Sequence, residues 1–419
     1  MKAEELPTHF AGFDWAKAHH DILVIDSLGN IVIEFQFEHA AEGWKSCQEK
    51  LAAFPRLAVA IEAGHANAIE RLMLMGHRVY AVHPRSSKSY RARKRPSGVK
   101  TDRVDCLALA EALRFEGQSW TPVAPPEPLV LRLRLLCRDE VALIEQRTAL
   151  VNQLIQALYE YYPAALEAFD DWTSPAAWAF VEKFPTPEVL VKAGKRKWQN
   201  FLHARRLYRP ETYEKRLDAF THAQEFCGSE AVTTAKSTMA LALVKLLQTL
   251  EKQLLEFRHK IIACFHQHPD HAILVSLPGA GEKLAPRLLA ELFSLPGGAT
   301  AAPRLQVQAG MAPVSYQSGQ VSVVYLRRQC NKFLQHTVHL WADLTRHYSD
   351  WARIYYEAHR KKGQSHACAV RCLAMRWLKI LSAMMRSHTS YDAALHSRNQ
   401  LRHGSWVLEL VPKATDKPA

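Results

Sequence analysis

The run Leu57-Ala58-Val59-Ala60-Ile61-Glu62 decides the fold class of this chain. Five apolar residues closed by a carboxylate read as a strand buried on both faces, and such strands take parallel neighbours. Upstream, a helical stretch covers about Ala40 to Ala53. Before it, Phe10 to Phe13, Ile22 to Ile25 and Ile31 to Phe37 read as a three-strand meander, its last two strands joined at Gly29-Asn30. Downstream come a helix from Ala66 to Met75, a strand from Arg78 to Val82 and a helix from about Thr101 to Phe115. The order βββαβαβα predicts an α/β unit of ribonuclease-H-like type, a mixed sheet with helices, over residues 1–122.

In that order, Asp14 falls at the end of the first strand, Glu62 at the end of the fourth, and Asp102 and Asp105 at the start of the last helix. Residues three apart on a helix share a face, so Asp102 and Asp105 reach one ion. Four converging carboxylates repel one another unless a divalent cation neutralises them, and hard oxygen ligands suit Mg²⁺. Taken alone, Asp102 and Asp105 read equally as an N-cap and a first-turn acid against the helix dipole. The joint pattern is what points to a metal centre that acts on phosphate oxygens.

Just before the acidic helix, Arg85-Ser86-Ser87-Lys88-Ser89-Tyr90-Arg91-Ala92-Arg93-Lys94-Arg95 concentrates positive charge, and Lys100 follows. Arg91, Arg93, Lys94, Arg95 and Lys100 are candidates for holding a phosphate backbone, although such runs also form plain solvated faces. Pro96-Ser97-Gly98 predicts a flexible loop that orders on nucleic acid.

Thr121-Pro122-Val123-Ala124-Pro125-Pro126 marks a boundary, because prolines stop the preceding helix and stiffen a linker. Beyond it two heptad seams predict long helices. One runs through Cys137, Val141, Ile144, Thr148, Val151, Ile155 and Leu158; the other through Leu243, Leu247, Leu250, Leu254, Phe257 and Ile261. They pair with each other or with a second subunit. Between them, Lys195-Arg196-Lys197-Trp198 and Arg205-Arg206-Leu207-Tyr208-Arg209 mix cations with aromatics, as nucleic-acid surfaces do.

Further on, His266, His268, Asp270 and His271 carry ligand-type side chains without a matching cluster elsewhere. Leu277-Pro278-Gly279-Ala280-Gly281-Glu282-Lys283 reads as a helix-hairpin-helix turn, with Gly279, Gly281 and Lys283 approaching a phosphate, or as an ordinary helix-helix turn. Tyr316-Gln317-Ser318-Gly319 precedes the cations Arg327, Arg328 and Lys332. By composition Ser318 is an unremarkable turn residue. Arg353, Arg360, Lys361, Lys362, Arg371 and Arg376 add to the basic surface, and a disordered tail is expected at the end.

The 419 residues imply two or three domains. A formal charge of +13, with 21 histidines uncounted, favours a polyanionic partner. No stretch reaches the roughly 18 apolar residues of a spanning helix, so no membrane partner is expected. Met1-Lys2-Ala3-Glu4-Glu5 lacks a signal-peptide profile, which predicts a cytoplasmic protein. Eight scattered cysteines without a Cys-x-x-Cys pair argue against a disulfide framework and a four-cysteine zinc site.

Taken together, Gly12-Phe13-Asp14-Trp15-Ala16-Lys17, Ile61-Glu62-Ala63, Lys100-Thr101-Asp102-Arg103-Val104-Asp105, Leu277-Pro278-Gly279-Ala280-Gly281 and Ala309-Gly310-Met311-Ala312-Pro313 through Ser318-Gly319 resemble the transposases of the insertion-sequence-110 family, RNA-guided recombinases of bacterial mobile elements. The resemblance implies a RuvC-like domain at 1–122 with the DEDD tetrad Asp14, Glu62, Asp102 and Asp105 on Mg²⁺. It implies a helical, coiled-coil region with an insertion at 123–265, a mainly helical C-terminal transposase domain at 266–403 with Ser318 as nucleophile, and a tail at 404–419. The expected activity is site-specific recombination through a phosphoserine link. The expected partners are double-stranded donor and target DNA, a structured non-coding guide (bridge) RNA, and further copies of the chain as a dimer or tetramer, in the bacterial cytoplasm at the nucleoid. The chain departs from the family pattern at Gly64-His65-Ala66, at Cys330 and Phe333-Leu334-Gln335 within the basic motif, and in its long middle. Two other functions fit the residues: a junction endonuclease that uses the tetrad and water, and an inert RNA-binding protein.

Overall fold

The computed structural model describes residues 6–62, 66–95, 97–98, 100–124, 127–223, 228–294 and 300–406. The chain divides into two compact units at Glu127/Pro128, each described here by itself.

The first unit is built on a five-stranded sheet in the order β3-β2-β1-β4-β5. Its strands are β1 (His9–Trp15), β2 (His19–Asp26), β3 (Ile31–Glu38), β4 (Leu57–Glu62) and β5 (Arg78–Val82), and its helices are α1 (Ala41–Leu51), α2 (Ala66–Leu74), α3 (Pro84–Lys94) and α4 (Asp102–Glu116). The meander β1 to β3 is antiparallel, and β4 lies parallel to both β1 and β5. The apolar run Leu57 to Ile61 is buried throughout, as its composition demands. Alternation along β1 assigns its two faces. Ala11 and Phe13 pack with Trp44, Cys47 and Leu51 of α1 and with Ala68 and Leu72 of α2. The opposite face receives α4, through Leu109 and Leu113 against Ala58 and Ala60 and through Cys106 and Ala110 against Leu23 and Ile25.

The basic run folds as α3. Pro84 stands in the first turn, where a missing N–H costs nothing, and the His83 side chain accepts from the Arg85 amide as N-cap. The loop expected at Pro96-Ser97-Gly98 lies only partly within the described residues.

The second unit opens with α5 (Pro128–Tyr161) and continues through α6 (Pro163–Ala168), α7 (Pro175–Lys183), α8 (Pro187–Ala193), α9 (Lys195–Ala204), α10 (Pro210–His222) and α11 (Glu230–Phe265). After these come α12 (His271–Val275), α13 (Gly281–Leu292), α14 (Ala302–Gln308), a hairpin of β6 (Val314–Ser318) and β7 (Val321–Tyr325), then α15 (Lys332–Tyr348), α16 (Asp350–Lys361), α17 (His366–Ser387) and α18 (Ala393–Arg402). The two long helices lie antiparallel, since Glu140 pairs with Arg258, Arg147 with Glu251 and Glu160 with Lys236. Of the α11 seam, Leu243, Leu247, Leu254 and Ile261 are buried, each contributing about 1.5–3 kcal/mol, and Leu250 and Phe257 are half-buried. The α5 seam is looser. Thr148 is exposed and Val141 and Ile144 are half-buried, because the middle of the pair is held by the charge ladder rather than by apolar teeth.

A candidate metal centre and a serine hairpin

Gly12 and Asp14 sit on the α4 face of β1, two residues apart as a strand requires. A Cβ on Gly12 would lie 1.8 Å from the Cys106 carbonyl oxygen, so α4 rests directly on the strand backbone at the one position without a side chain. That seating brings the first turn of α4 over Asp14. The helix is capped by Thr101, whose Oγ1 accepts from the Val104 amide. Asp102 and Asp105 are therefore not caps: Asp102 is exposed at the first helical position, and Asp105, one turn on, is 7% exposed.

The parallel register pairs Phe13 with Ile61, which sets Glu62 beside Asp14 at the strand ends. The antiparallel register pairs Asp14 with Asp21. Asp14 is pushed up to about 6, first by burial and then by Asp102, Asp105, Asp21 and Glu62. The other three predicted carboxylates thus lie near enough to act on Asp14, as does a fifth, Asp21. One ligand atom each from His19, Asp21 and Asp102 lie within 4.8 Å of one another. Neither His19 nor Asp21 was singled out in the sequence; the signal was the hairpin register, which carries Asp21 across from Asp14. This donor set fits a hard divalent cation, because a cation offsets the burial and the neighbouring negative charges that together hold the Asp14 proton.

Three of the predicted phosphate-binding cations face α4 instead. Arg91 Nη1 donates to both Asp105 carboxylate oxygens at 2.7 and 2.9 Å. Lys94 pairs with Glu111 at 2.5 Å and Arg93 with Glu116 at 3.0 Å. Arg95 and Lys100 are exposed.

Ser318 ends β6, opposite Val321. Gly319, at φ +57, occupies the first of two turn positions where only glycine enters easily. Every residue of both strands is exposed, and the Ser318 hydroxyl makes no hydrogen bond among the described residues. The hairpin is anchored at its base. Arg327 donates to the carbonyls of Ala312 and Pro313 at 3.2 and 3.4 Å, and the Asn331 amide donates to the Gln308 carbonyl at 2.9 Å. The Asn331 side chain caps α15 and donates to Glu291, which is fully buried and also holds Arg138 in a fork at 2.9 and 3.2 Å. Arg328 and Lys332 flank this anchor.

Elsewhere the structure corrects the sequence reading. Trp198 does not stack on bases: it is 0% exposed in a helical core, and its Nε1 donates to the Arg216 carbonyl at 2.9 Å. The His266 to His271 group is turn structure, with His268 Nδ1 accepting from the Asp270 amide and Asp270 bound to His388. Gly279 and Gly281 take positive φ, at +72 and +52. Gly279 is pressed on Leu344 and Tyr348 of α15, and Trp341 Nε1 donates to the Pro278 carbonyl. The Gly279 side of the turn is thus held against α15, while Gly281 and Lys283 are exposed beside it. The expected tail beyond Trp406 lies outside the described residues.

Residues 11–163 match the family model for DEDD transposases of the IS110 type, and residues 271–357 match the transposase model of the IS116/IS110/IS902 family. The IS117 mini-circle protein of Streptomyces coelicolor is 30% identical over 400 residues, covering 93% of this chain and 96% of that protein. The 42 kDa protein of insertion element IS900 from Mycobacterium paratuberculosis is 26% identical over 92% of this chain and 97% of its own length. The 44.8 kDa protein of insertion element IS116 from Streptomyces clavuligerus is 26% identical over 92% and 96%.

Proposed function

Since the chain belongs to the IS110 family of transposases, enzymes that act on DNA, we propose that it is a site-specific recombinase that cuts and rejoins DNA through Ser318. The observation that carries this reading is the convergence of Asp14, Glu62, Asp102 and Asp105 where β1, β4 and α4 meet, with the Asp14 proton held up to about 6.

The Ser318 oxygen attacks a phosphodiester phosphorus, gives up its proton, and forms a phosphoserine ester. The bond to one flanking sugar oxygen breaks, and that oxygen leaves with the electron pair and takes up a proton. The ester conserves the bond for rejoining to a second DNA end. Asp14, Glu62, Asp102 and Asp105 would hold Mg²⁺, with Asp21 and His19 beside them, and the ion supplies charge stabilisation at the phosphorus and its oxygens. Serine is a poor nucleophile at neutral pH, and no base meets its hydroxyl among the described residues of its own unit. The family resemblance suggests that the tetrad of one protomer serves the serine of another. Arg95, Lys100, Lys283, Arg327, Arg328 and Lys332 hold phosphates. A guide RNA pairs with donor and target.

A second reading has one observation in its favour. The carboxylate cluster is complete without Ser318, so water could be the nucleophile of a junction endonuclease. Strand exchange between donor and target DNA separates the two. Recombination should require Mg²⁺ and the RNA that co-purifies with the protein, and should vanish in Asp102→Asn. Mg²⁺-dependent cleavage without exchange, lost in Asp102→Asn, would support hydrolysis.

A further inference from the structure

Between α16, α17 and α18 lies a cavity of about 400 Å³. It is at the lower end of the roughly 300–1,000 Å³ range of pockets that take a small organic ligand. Its apolar walls are aromatic. Tyr355 and Trp406 lie tilted with ring centroids 5.5 Å apart, and Trp351 meets His396 edge to face at 4.7 Å. No carboxylate lines it among the described residues. The exposed Arg376 lies 5.8 Å over the Tyr355 ring, and Lys362 lies 5.1 Å over Trp406. Arg376 and the neighbouring exposed Lys379 form no ion pair among the described residues. Asn399 and Gln400 add amides that both donate and accept.

Aromatic rings, amides and cations, with no acid among the described lining residues, are together complementary to one class of ligand: a flat heterocycle joined to a phosphate. We propose that this pocket takes a single unpaired nucleotide of a DNA strand, its base against Tyr355 and Trp406 and its phosphate on Arg376 and Lys379. A base inside a duplex stack cannot enter a concave site without being extruded, so the pocket selects unpaired DNA. DNA is chosen because it is the substrate of the family. The inference rests on the nucleic-acid reading above but not on the carboxylate cluster or Ser318, and none of the pocket residues takes part in the chemistry assigned to them.

The test is fluorescence anisotropy at one fixed salt concentration, with a labelled single strand of about 12 nucleotides, the same sequence as duplex, and the same sequence as RNA. Trp406→Leu, and separately the double variant Arg376→Gln with Lys379→Gln, should weaken single-stranded DNA binding roughly 5- to 100-fold and leave duplex binding unchanged. Asn399→Ala, at an exposed position that does not endanger folding, should weaken it in the same direction. Ultraviolet cross-linking of a bromodeoxyuridine strand should map to a peptide carrying Tyr355 or Trp406. Unchanged single-strand affinity, an equal loss for duplex, cross-links confined to other peptides, or a loss confined to RNA would each overturn the assignment. If the unaltered protein binds none of the three nucleic acids, the nucleic-acid reading itself falls, and the pocket assignment with it.

Discussion

Arg91 on α3 closes a two-bond contact onto Asp105 on α4, with one guanidinium nitrogen at 2.7 and 2.9 Å from the two carboxylate oxygens. An arginine that the sequence offers to phosphate is thus spent on a member of the proposed tetrad. It neutralises the most buried of the four acids and fixes the side chain that a metal would share.

Removing Arg91 leaves Asp105 charged and nearly buried. Arg91→Ala should cost about 1–3 kcal/mol of stability, read by chemical denaturation. Because a cation can replace the lost charge, Mg²⁺ should raise the melting temperature of Arg91→Ala by more than that of the unaltered protein. Equal shifts would mean that Asp105 lies outside the ion's reach.

Gly12 sets the height of α4 over the sheet. Gly12→Ala drives a methyl to 1.8 Å from the Cys106 carbonyl oxygen, and a backbone group cannot rotate away. The expected loss is about 3 kcal/mol, the upper end for overpacking, with metal-induced stabilisation lost as well because Asp14 and Asp105 separate. Gly98→Ala, in open space although at positive φ, should leave metal-induced stabilisation intact.

Asp14 gives the metal-free protein a pH signature. Its folded value, about 6, stands above its ordinary 3.8, so the folded state holds the proton more tightly than the unfolded chain. The resulting stability is fully present below about pH 4 and is lost as pH rises through 6. Thermal melts across that window should fall less steeply in Asp14→Asn. Mg²⁺ must displace the proton, so its affinity should rise from pH 5 to pH 7 in the unaltered protein, as titration calorimetry can follow.

Glu291 ties the base of the serine hairpin to α5. Glu291→Gln removes a fully buried charge from between Arg138 and Asn331 and, because Arg138 reaches solvent, should cost about 1–3 kcal/mol. Hydrogen exchange should rise first at the Asn331 amide, and so at the foot of the hairpin. Exchange that rises only in α5 would break the proposed link.

The sheet was legible because its strands announce themselves: Leu57 to Ile61 could be nothing but a central strand, and Asp14, Glu62 and Asp102 fall at element ends that any reader of the pattern would mark. What escaped depends on side chains meeting across the fold. Asp21 joins the cluster only through the β1–β2 register. The cations of α3 lose their freedom only because α4 presents Asp105, Glu111 and Glu116 to them. Trp198 looked like a stacking residue beside three cations, yet helical packing turns it inward and leaves the cations behind. Ser318 carries no local mark of chemistry in either the sequence or its exposed hairpin, and its assignment rests on the family resemblance.

That assignment is tested most directly by trapping the reaction on a nicked DNA substrate and sequencing any protein-DNA adduct by mass spectrometry. The account predicts a covalent adduct at Ser318 that requires a divalent metal, is absent in Ser318→Ala, and is absent in Asp102→Asn. Ser318→Ala should otherwise fold with stability changed by less than about 0.5 kcal/mol, as expected of an exposed position. An adduct that persists in Ser318→Ala, or metal-dependent cleavage that never passes through an adduct, would contradict it.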